Sequence, residues 1–228
     1  MAAAEAQVIP LTETTRAGEL LVGSKAYQLG RLAALGFKVP PGFCVTVRAY
    51  ERFMEESRLA DVIRMELGRK PLEEMRWEEI WDAALRIRSA FSTASIPEDV
   101  ALSIRAALES LVSGQTLAVR SSAPGEDSAE RSFAGLHESL LNITDPESTL
   151  DAVRLVWSSL WSDAAILYRK ELGLDPASSR MAVVVQQMVM EDRSGVSFGR
   201  DPRDLSLDRE VIESVPGPCS NLVDGVVD

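Results

Sequence analysis

The sequence predicts an α+β protein with a mainly helical front part, and three observations carry that prediction. Residues 59–113 place apolar side chains at helical spacing. TLAVRSS at 116–122 and MAVVVQQMVM at 181–190 are short runs of strand length, rich in β-branched residues. The texture changes near residue 114, where helical stripes give way to strands separated by small and polar residues. That change divides the chain into a helical subdomain, 1–114, and an α+β subdomain, 115–228.

Taken in order, residues 25–35 carry Tyr27, Leu29, Leu32 and Leu35 at near-helical spacing, and Gly36 supplies a stop. VPPGF at 39–43 is a stiff turn, CVTV at 44–47 a short strand, and 48–57 a return to helix. Trp77, Ile80, Trp81, Leu85 and Ile87 belong to one helix. Pro97 opens another, with Val100, Leu102, Ile104, Ala107, Leu108 and Leu111. Both stripes are expected in the core. Then come a buried strand at 116–122, a small-residue loop at 122–135 and a strand at 137–143. A long helix is expected over 147–172, bearing Leu150, Val153, Val156, Trp157, Leu160 and Trp161. After the strand at 181–190, a turn at 191–194 leads into GVSFGRD as a hairpin, and REVIES at 209–214 adds a last strand.

Composition narrows the functions. With 46% hydrophobic and 26% charged residues the chain is of the globular type. Its 35 acidic against 24 basic side chains, a formal charge of −11, argue against nucleic acid or an anionic membrane as partner, while leaving room for a few converging cations around a phosphate. Cys44 and Cys219 make no metal-ligand spacing and read as unlinked thiols. The start, MAAAEAQVIP, has neither a basic n-region nor a long apolar core, and no stretch reaches the roughly 18 apolar residues of a membrane span. These features predict a cytoplasmic protein.

Four features carry chemistry. Lys25, in LLVGSKAYQLG, follows a glycine and a serine at a predicted helix start, where backbone N–H groups favour anions. Residues 18–25 nearly spell a P-loop, but Ser24 stands where that pattern requires lysine and Ala26 follows Lys25, so this is not a Walker A loop. Arg120, in LAVRSSA, sits in an apolar strand and needs a partner, either a structural carboxylate or a phosphate taken in a bidentate fork. The loop 121–135 offers serine hydroxyls, Gly125 and Gly135 for close backbone approach to a polyanion. Its acidic members, Glu126, Asp127 and Glu130, would repel phosphate unless they act through a metal or by positioning other groups. The sole histidine, His137, lies in a strand-like stretch and reads as a hydrogen-bonded strand residue rather than a phosphate relay.

Four blocks together resemble the N-terminal ATP-binding domain shared by phosphoenolpyruvate synthase, pyruvate phosphate dikinase and rifampin phosphotransferase. They are GSKAYQLGRLAALGFKVPPGFCVTVRAYERF from Gly23, LAVRSSAPGEDSAERSFAGLHESLLNI, VWSSLWSDAAILYRKELG and MAVVVQQMVMEDRSGVSFGRDP, in the family's order, and the resemblance runs from about residue 17 to 228. It implies an ATP-grasp-like fold with adenine held between two α+β lobes. It implies that Lys25 and Arg120 are the phosphate-contacting cations. Gln187, Met188 and Val189 match the segment bordering adenine, and Ser132 to Gly135 the loop that closes over the phosphates.

The chain departs from the family pattern at Ser24, where a second glycine is common. It departs again at GPCSNLVDG, 217–225, in place of a glycine–leucine–glycine–glutamate stretch. It stops at Asp228, ahead of the family's magnesium and nucleotide ligands and of its phosphohistidine and acceptor-binding domains. The chain therefore reads as the front of a longer enzyme that uses ATP and Mg2+, sends phosphate through a histidine on another domain, and forms phosphoenolpyruvate from pyruvate. A rifampin-type antibiotic phosphotransferase is the enzyme alternative, and a non-catalytic nucleotide-binding module the alternative from another class.

Overall fold

A computed structural model describes residues 6–111, 114–125, 127–128, 131–132, 138–189, 192–204, 206–217, 219 and 222. The fold is α+β, and the chain divides into two compact units, Met1–Met188 and Val189–Asp228.

The first unit is built on a five-stranded sheet of β1 (Val8–Pro10), β2 (Gly42–Val45), β3 (Leu117–Ser122), β6 (Ser139–Ile143) and β7 (Ala182–Gln187), in the order β1-β2-β7-β3-β6. Every neighbouring pair is antiparallel. The division expected near residue 114 is not where compact units separate. β7 pairs on one side with β2 from the front of the chain and on the other with β3, so a single sheet spans the change of texture. A shift to strands in sequence marks a change of local structure, and long-range pairing overrides it as a boundary.

Because cross-strand partners share a face, register sorts the side chains. Phe43, Val45, Leu117, Val119, Val183 and Val185 face a large core supplied by α3 (Val47–Ser57), α4 (Leu59–Leu67), α5 (Trp77–Thr93), α6 (Glu98–Glu109) and α7 (Pro146–Ser159). Phe53 stacks on Trp157 at 5.0 Å between ring centroids and meets Phe91 edge-on at 5.7 Å. On the opposite face, Cys44, Ala182 and Val184 pack against Val22 and Ala26 of α2 (Glu19–Ala34), which follows the single turn of α1 (Thr14–Ala17).

Local chemistry explains the helix limits, including two that differ from the sequence reading. Helix α2 begins earlier than residue 25, but Gly23 (φ 75°, ψ 167°) breaks it, so the turn bearing Lys25 starts afresh after the glycine. The single helix expected over 147–172 is two. Asp145 caps α7 by accepting from the Ser148 N–H at 2.9 Å, and Ser162 starts α8 (Asp163–Glu171) by accepting from Ala165 N–H at 3.1 Å. The stripe on α5 is only half core. Ile80, Ala83, Ala84, Ile87 and Phe91 are buried, whereas Trp77, Trp81 and Leu85 are 57%, 47% and 53% exposed. Leu102 on α6 is exposed as well.

In the stretch read as a loop at 122–135, the short strands β4 (Asp127–Ser128) and β5 (Arg131–Ser132) pair antiparallel. The second unit holds β8 (Arg193–Phe198) and β9 (Val211–Pro216) in one antiparallel ribbon. Hence the strand 193–198 does not form a hairpin with β7, whose two edges β2 and β3 already occupy. Within this unit Asp201 is buried, accepts from the Arg203 N–H at 2.9 Å and pairs with Arg209; these bonds hold its carboxyl below the usual range. Both cysteines are free, and burial pushes the Cys44 thiol well up.

Candidate functional site

The site is organised where the broken start of α2 meets the C-terminal end of β3. A Cβ on Gly23 would fall 1.8 Å from the Ser122 carbonyl oxygen, so only glycine permits this approach, and its positive φ requires the same residue. Three bonds then fix the junction. The Ser24 N–H donates to Ala123 O at 3.2 Å, the Ala26 N–H donates to Ser122 Oγ at 3.0 Å, and Ser122 Oγ donates to Val22 O at 2.8 Å. Ser24 Oγ also donates to Glu19 Oε1 at 2.7 Å.

This geometry corrects the reason given for Lys25. The N–H groups of Ser24 and Ala26 are consumed by the strand end, so the new helical turn does not hold them out to an anion. What the junction does provide is placement. Lys25 is half-buried and its Nζ lies 3.5 Å from Ser121 Oγ, which brings the ammonium to the end of β3 beside the residue that follows Arg120.

Arg120 differs from its sequence reading in another way. It is exposed, although its strand neighbours Val119 and Ser121 are buried. By register it faces the side of Val184, the face covered by α2, while its other partner, Ser139 of β6, is exposed. Helix α2 meets both β7 and β3 on that face, and Arg120 nevertheless stays exposed. The guanidinium has no hydrogen bond or ion pair among the described residues. A hydrated, uncommitted fork of N–H donors can take an oxyanion without first breaking a salt bridge.

The adenine-bordering candidates lie at the far end of β7. The Gln187 N–H donates to Pro41 O at 2.9 Å and the Met188 N–H to Thr116 O at 2.9 Å, so both donors are already used inside the protein. Their carbonyls and the exposed Val189, which opens the second unit, are the remaining backbone groups of this segment. The Gln187 side chain is 6% exposed, and its Nε2 has no partner among the described residues. Gln186 donates from Nε2 to Pro40 O at 3.0 Å, locking the Pro-Pro-Gly turn to the strand. A Cβ at Gly42 would sit 2.4 Å from Val185 O, which explains the glycine of that turn.

Ser132 lies in β5, with only its backbone described; Gly135, Glu126, Glu130 and His137 fall outside the described residues, and Asp127 is described only as a β4 residue. Sequence reading missed the structural roles of Gly23, Ser121 and Ser122. The signal was present, since a glycine in LLVGSK and a serine pair after an apolar strand are the small residues that close packing needs. Among the described residues no group of three or more His, Cys, Asp or Glu side chains can hold a metal, and no helix is long and apolar enough to cross a membrane.

The pyruvate phosphate dikinase AMP/ATP-binding domain family matches residues 19–228. Among similar proteins, the phosphoenolpyruvate synthase of Aeropyrum pernix is 40% identical over 91% of this chain and 26% of its own length. The rifampicin phosphotransferase of Streptomyces sviceus is 36% identical over 98% of the chain and 26% of its own length. A probable phosphoenolpyruvate synthase of Methanocaldococcus jannaschii is 36% identical over 91% of the chain and 18% of its own length. The chain thus spans about a quarter, or less, of these relatives.

Proposed function

Because the chain belongs to the pyruvate phosphate dikinase AMP/ATP-binding domain family, we propose that it is the ATP-binding part of a phosphotransferase that passes phosphate through a histidine on another domain to pyruvate, forming phosphoenolpyruvate. The observation that carries this reading is the pairing of a half-buried lysine with an exposed, uncommitted arginine at one end of β3.

In this reading Arg120 grips a nucleotide phosphate with its guanidinium fork, and Lys25, held by the Gly23–Ser122 junction, offsets charge on the same polyphosphate. Positioning and charge stabilisation are the main contributions a protein makes to phosphoryl transfer. Gln187, Met188 and Val189 border adenine, with carbonyls as acceptors for its amino group; Ser132 and Gly135 belong to the loop over the phosphates. Magnesium enters as the partner of the nucleotide's phosphates. The described residues present no cluster to hold it. The acceptor rests on the phosphoenolpyruvate synthases among the relatives, and the cytoplasm is the proposed compartment. The rifampicin phosphotransferases, equally well covered, support a second reading in which the same nucleotide site serves an antibiotic acceptor.

Titrating ATP and adenosine side by side into the chain and its Arg120→Ala variant tests the site. ATP is expected to lose roughly 1.5–3 kcal/mol of binding, the worth of a charged hydrogen bond, and adenosine almost nothing. Equal losses for both ligands, or a collapsed thermal transition, would make Arg120 structural.

A further inference from the structure

A cavity of about 710 Å3 opens among α3, α4 and the segment 175–180 of the first unit. Its volume suits a small organic molecule. One side is apolar, formed by Met54, Ile63, Leu67 and Leu72. Tyr50 and Trp161 also line it, 2% and 1% exposed respectively.

These two residues are the unusual part. The Tyr50 hydroxyl and the Trp161 indole N–H are both buried and both lack a hydrogen-bond partner among the described residues. The indole stands near enough to ease ionisation of the phenol, although burial raises the phenol's pKa far more. Two adjacent unpaired donors cost the fold free energy that one shared acceptor would recover. The charged lining is balanced, Arg48, Arg64 and Arg180 against Glu51, Glu55 and Asp175, and the excess positive charge comes from the buried Arg169 near Tyr50. Arg169, 4% exposed, gives its guanidinium to the carbonyls of Leu160 and Ala165, and it makes no ion pair among the described residues. Burial lowers its pKa to about 10, with Tyr50 acting in the opposite direction, and at neutral pH it keeps its charge. Arg180 at the rim is bonded to Glu51 Oε1 at 2.8 Å. Arg48 bonds the other oxygen of the same carboxylate at 2.7 Å, so Glu51 is shared between two arginines.

We propose that this cavity binds a small carboxylate with a hydrocarbon or aromatic body, its carboxylate accepting from Tyr50 Oη and Trp161 Nε1 and its body lying on Met54, Ile63, Leu67 and Leu72. The two donors define the polar end, the buried Arg169 charge near Tyr50 selects an anion over a neutral alcohol, and the apolar wall takes the rest. Reaching the covered donors takes side-chain adjustment of the kind common when ligands bind. The site is independent of the nucleotide reading, since it shares none of Lys25, Arg120 or the 187–189 segment.

The test titrates 4-phenylbutyrate and 4-phenylbutan-1-ol into the 228-residue chain and follows the four tryptophan indole N–H resonances, of which Trp161 is identified by Trp161→Phe. Saturable binding of the carboxylate is expected, at least ~10-fold tighter than the alcohol, with the Trp161 resonance moving furthest; Tyr50→Phe should weaken it about tenfold. Ala60→Trp, at an exposed lining position, fills the cavity without touching the core and should abolish binding while leaving the fold intact. That variant decides the matter if Tyr50→Phe or Trp161→Phe fails to fold. No saturable binding, equal affinity for acid and alcohol, or full binding by Ala60→Trp overturns the proposal.

Discussion

The two faces of the five-stranded sheet use the same strands for opposite purposes. On one, Leu117, Val119, Val183 and Val185 disappear beneath Phe53, Phe91 and Trp157. On the other, α2 covers Ala182, Val184 and Cys44, while Arg120 stays exposed. Successive residues of β3 therefore answer to different constraints: Val119 must fill space, whereas Arg120 must remain wet. A strand's period of two lets one segment serve as core and as binding surface without compromise between them. The lesson is that stability and ligand binding should separate cleanly when alternate residues are changed.

The largest expected effect lies on the filled face. Trp157→Ala should cost about 3–5 kcal/mol in chemical denaturation, since it empties a fully buried site stacked on Phe53. The ATP-to-adenosine affinity ratio of the fraction that remains folded should hold; a change in that ratio as large as that of Arg120→Ala would break the separation. Next comes the junction between the faces. Gly23→Ala drives a Cβ into the Ser122 carbonyl and also strains a positive φ, so a loss of about 1–3 kcal/mol is expected, together with weaker ATP binding as Lys25 is displaced. A variant with unchanged stability would show that the α2 break is not pinned to β3.

Smaller still, Lys25→Met should lower ATP affinity by about 1 kcal/mol with no change in the thermal midpoint, because a lysine contributes a point charge rather than a fork. A larger loss than that of Arg120→Ala would reverse the roles assigned to the two cations. The smallest effect belongs to Asp145, the cap of α7. The Ser148 backbone N–H and hydroxyl hold its carboxyl below the usual value, so its contribution is present above the ordinary aspartate pKa and fades as pH falls through the lowered one. Asp145→Asn should therefore lose that small contribution at neutral pH and flatten the acid limb, the two stability curves converging as pH falls. An unchanged acid limb would remove that linkage.

The strands were legible where apolar, β-branched runs left no other reading, as in β3 and β7, and the family blocks located Lys25 and Arg120. Other features needed the third dimension. The α5 stripe announced an apolar face, but small residues, Ala83 and Ala84, take the contact, while Trp77 and Trp81 remain outside; periodicity shows which residues share a face and not which face is covered. The break at Gly23 is invisible in sequence because a glycine inside a helical pattern is tolerated, and the reason for it, the Ser122 carbonyl, is 99 positions away. Arg120 looked buried by its neighbours' hydrophobicity; the register places it on the sheet face opposite Val119, where it stays exposed. The helix expected over 147–172 had no glycine or proline to interrupt it, and Ser162 turned out to act as a cap rather than an interior residue.

The bonds from Ser122 to Val22 and Ala26, and from Ser24 to Ala123, join segments about a hundred residues apart. In folding terms, the lysine's seat is a non-local structure whose closure carries the entropy of a long loop before any contact rewards it. The helices α3 to α6 lie wholly within that loop and can assemble among themselves first. Lys25 acquires its place only when the far strand arrives, so a chain with most of its helices formed still has no seat for the ammonium.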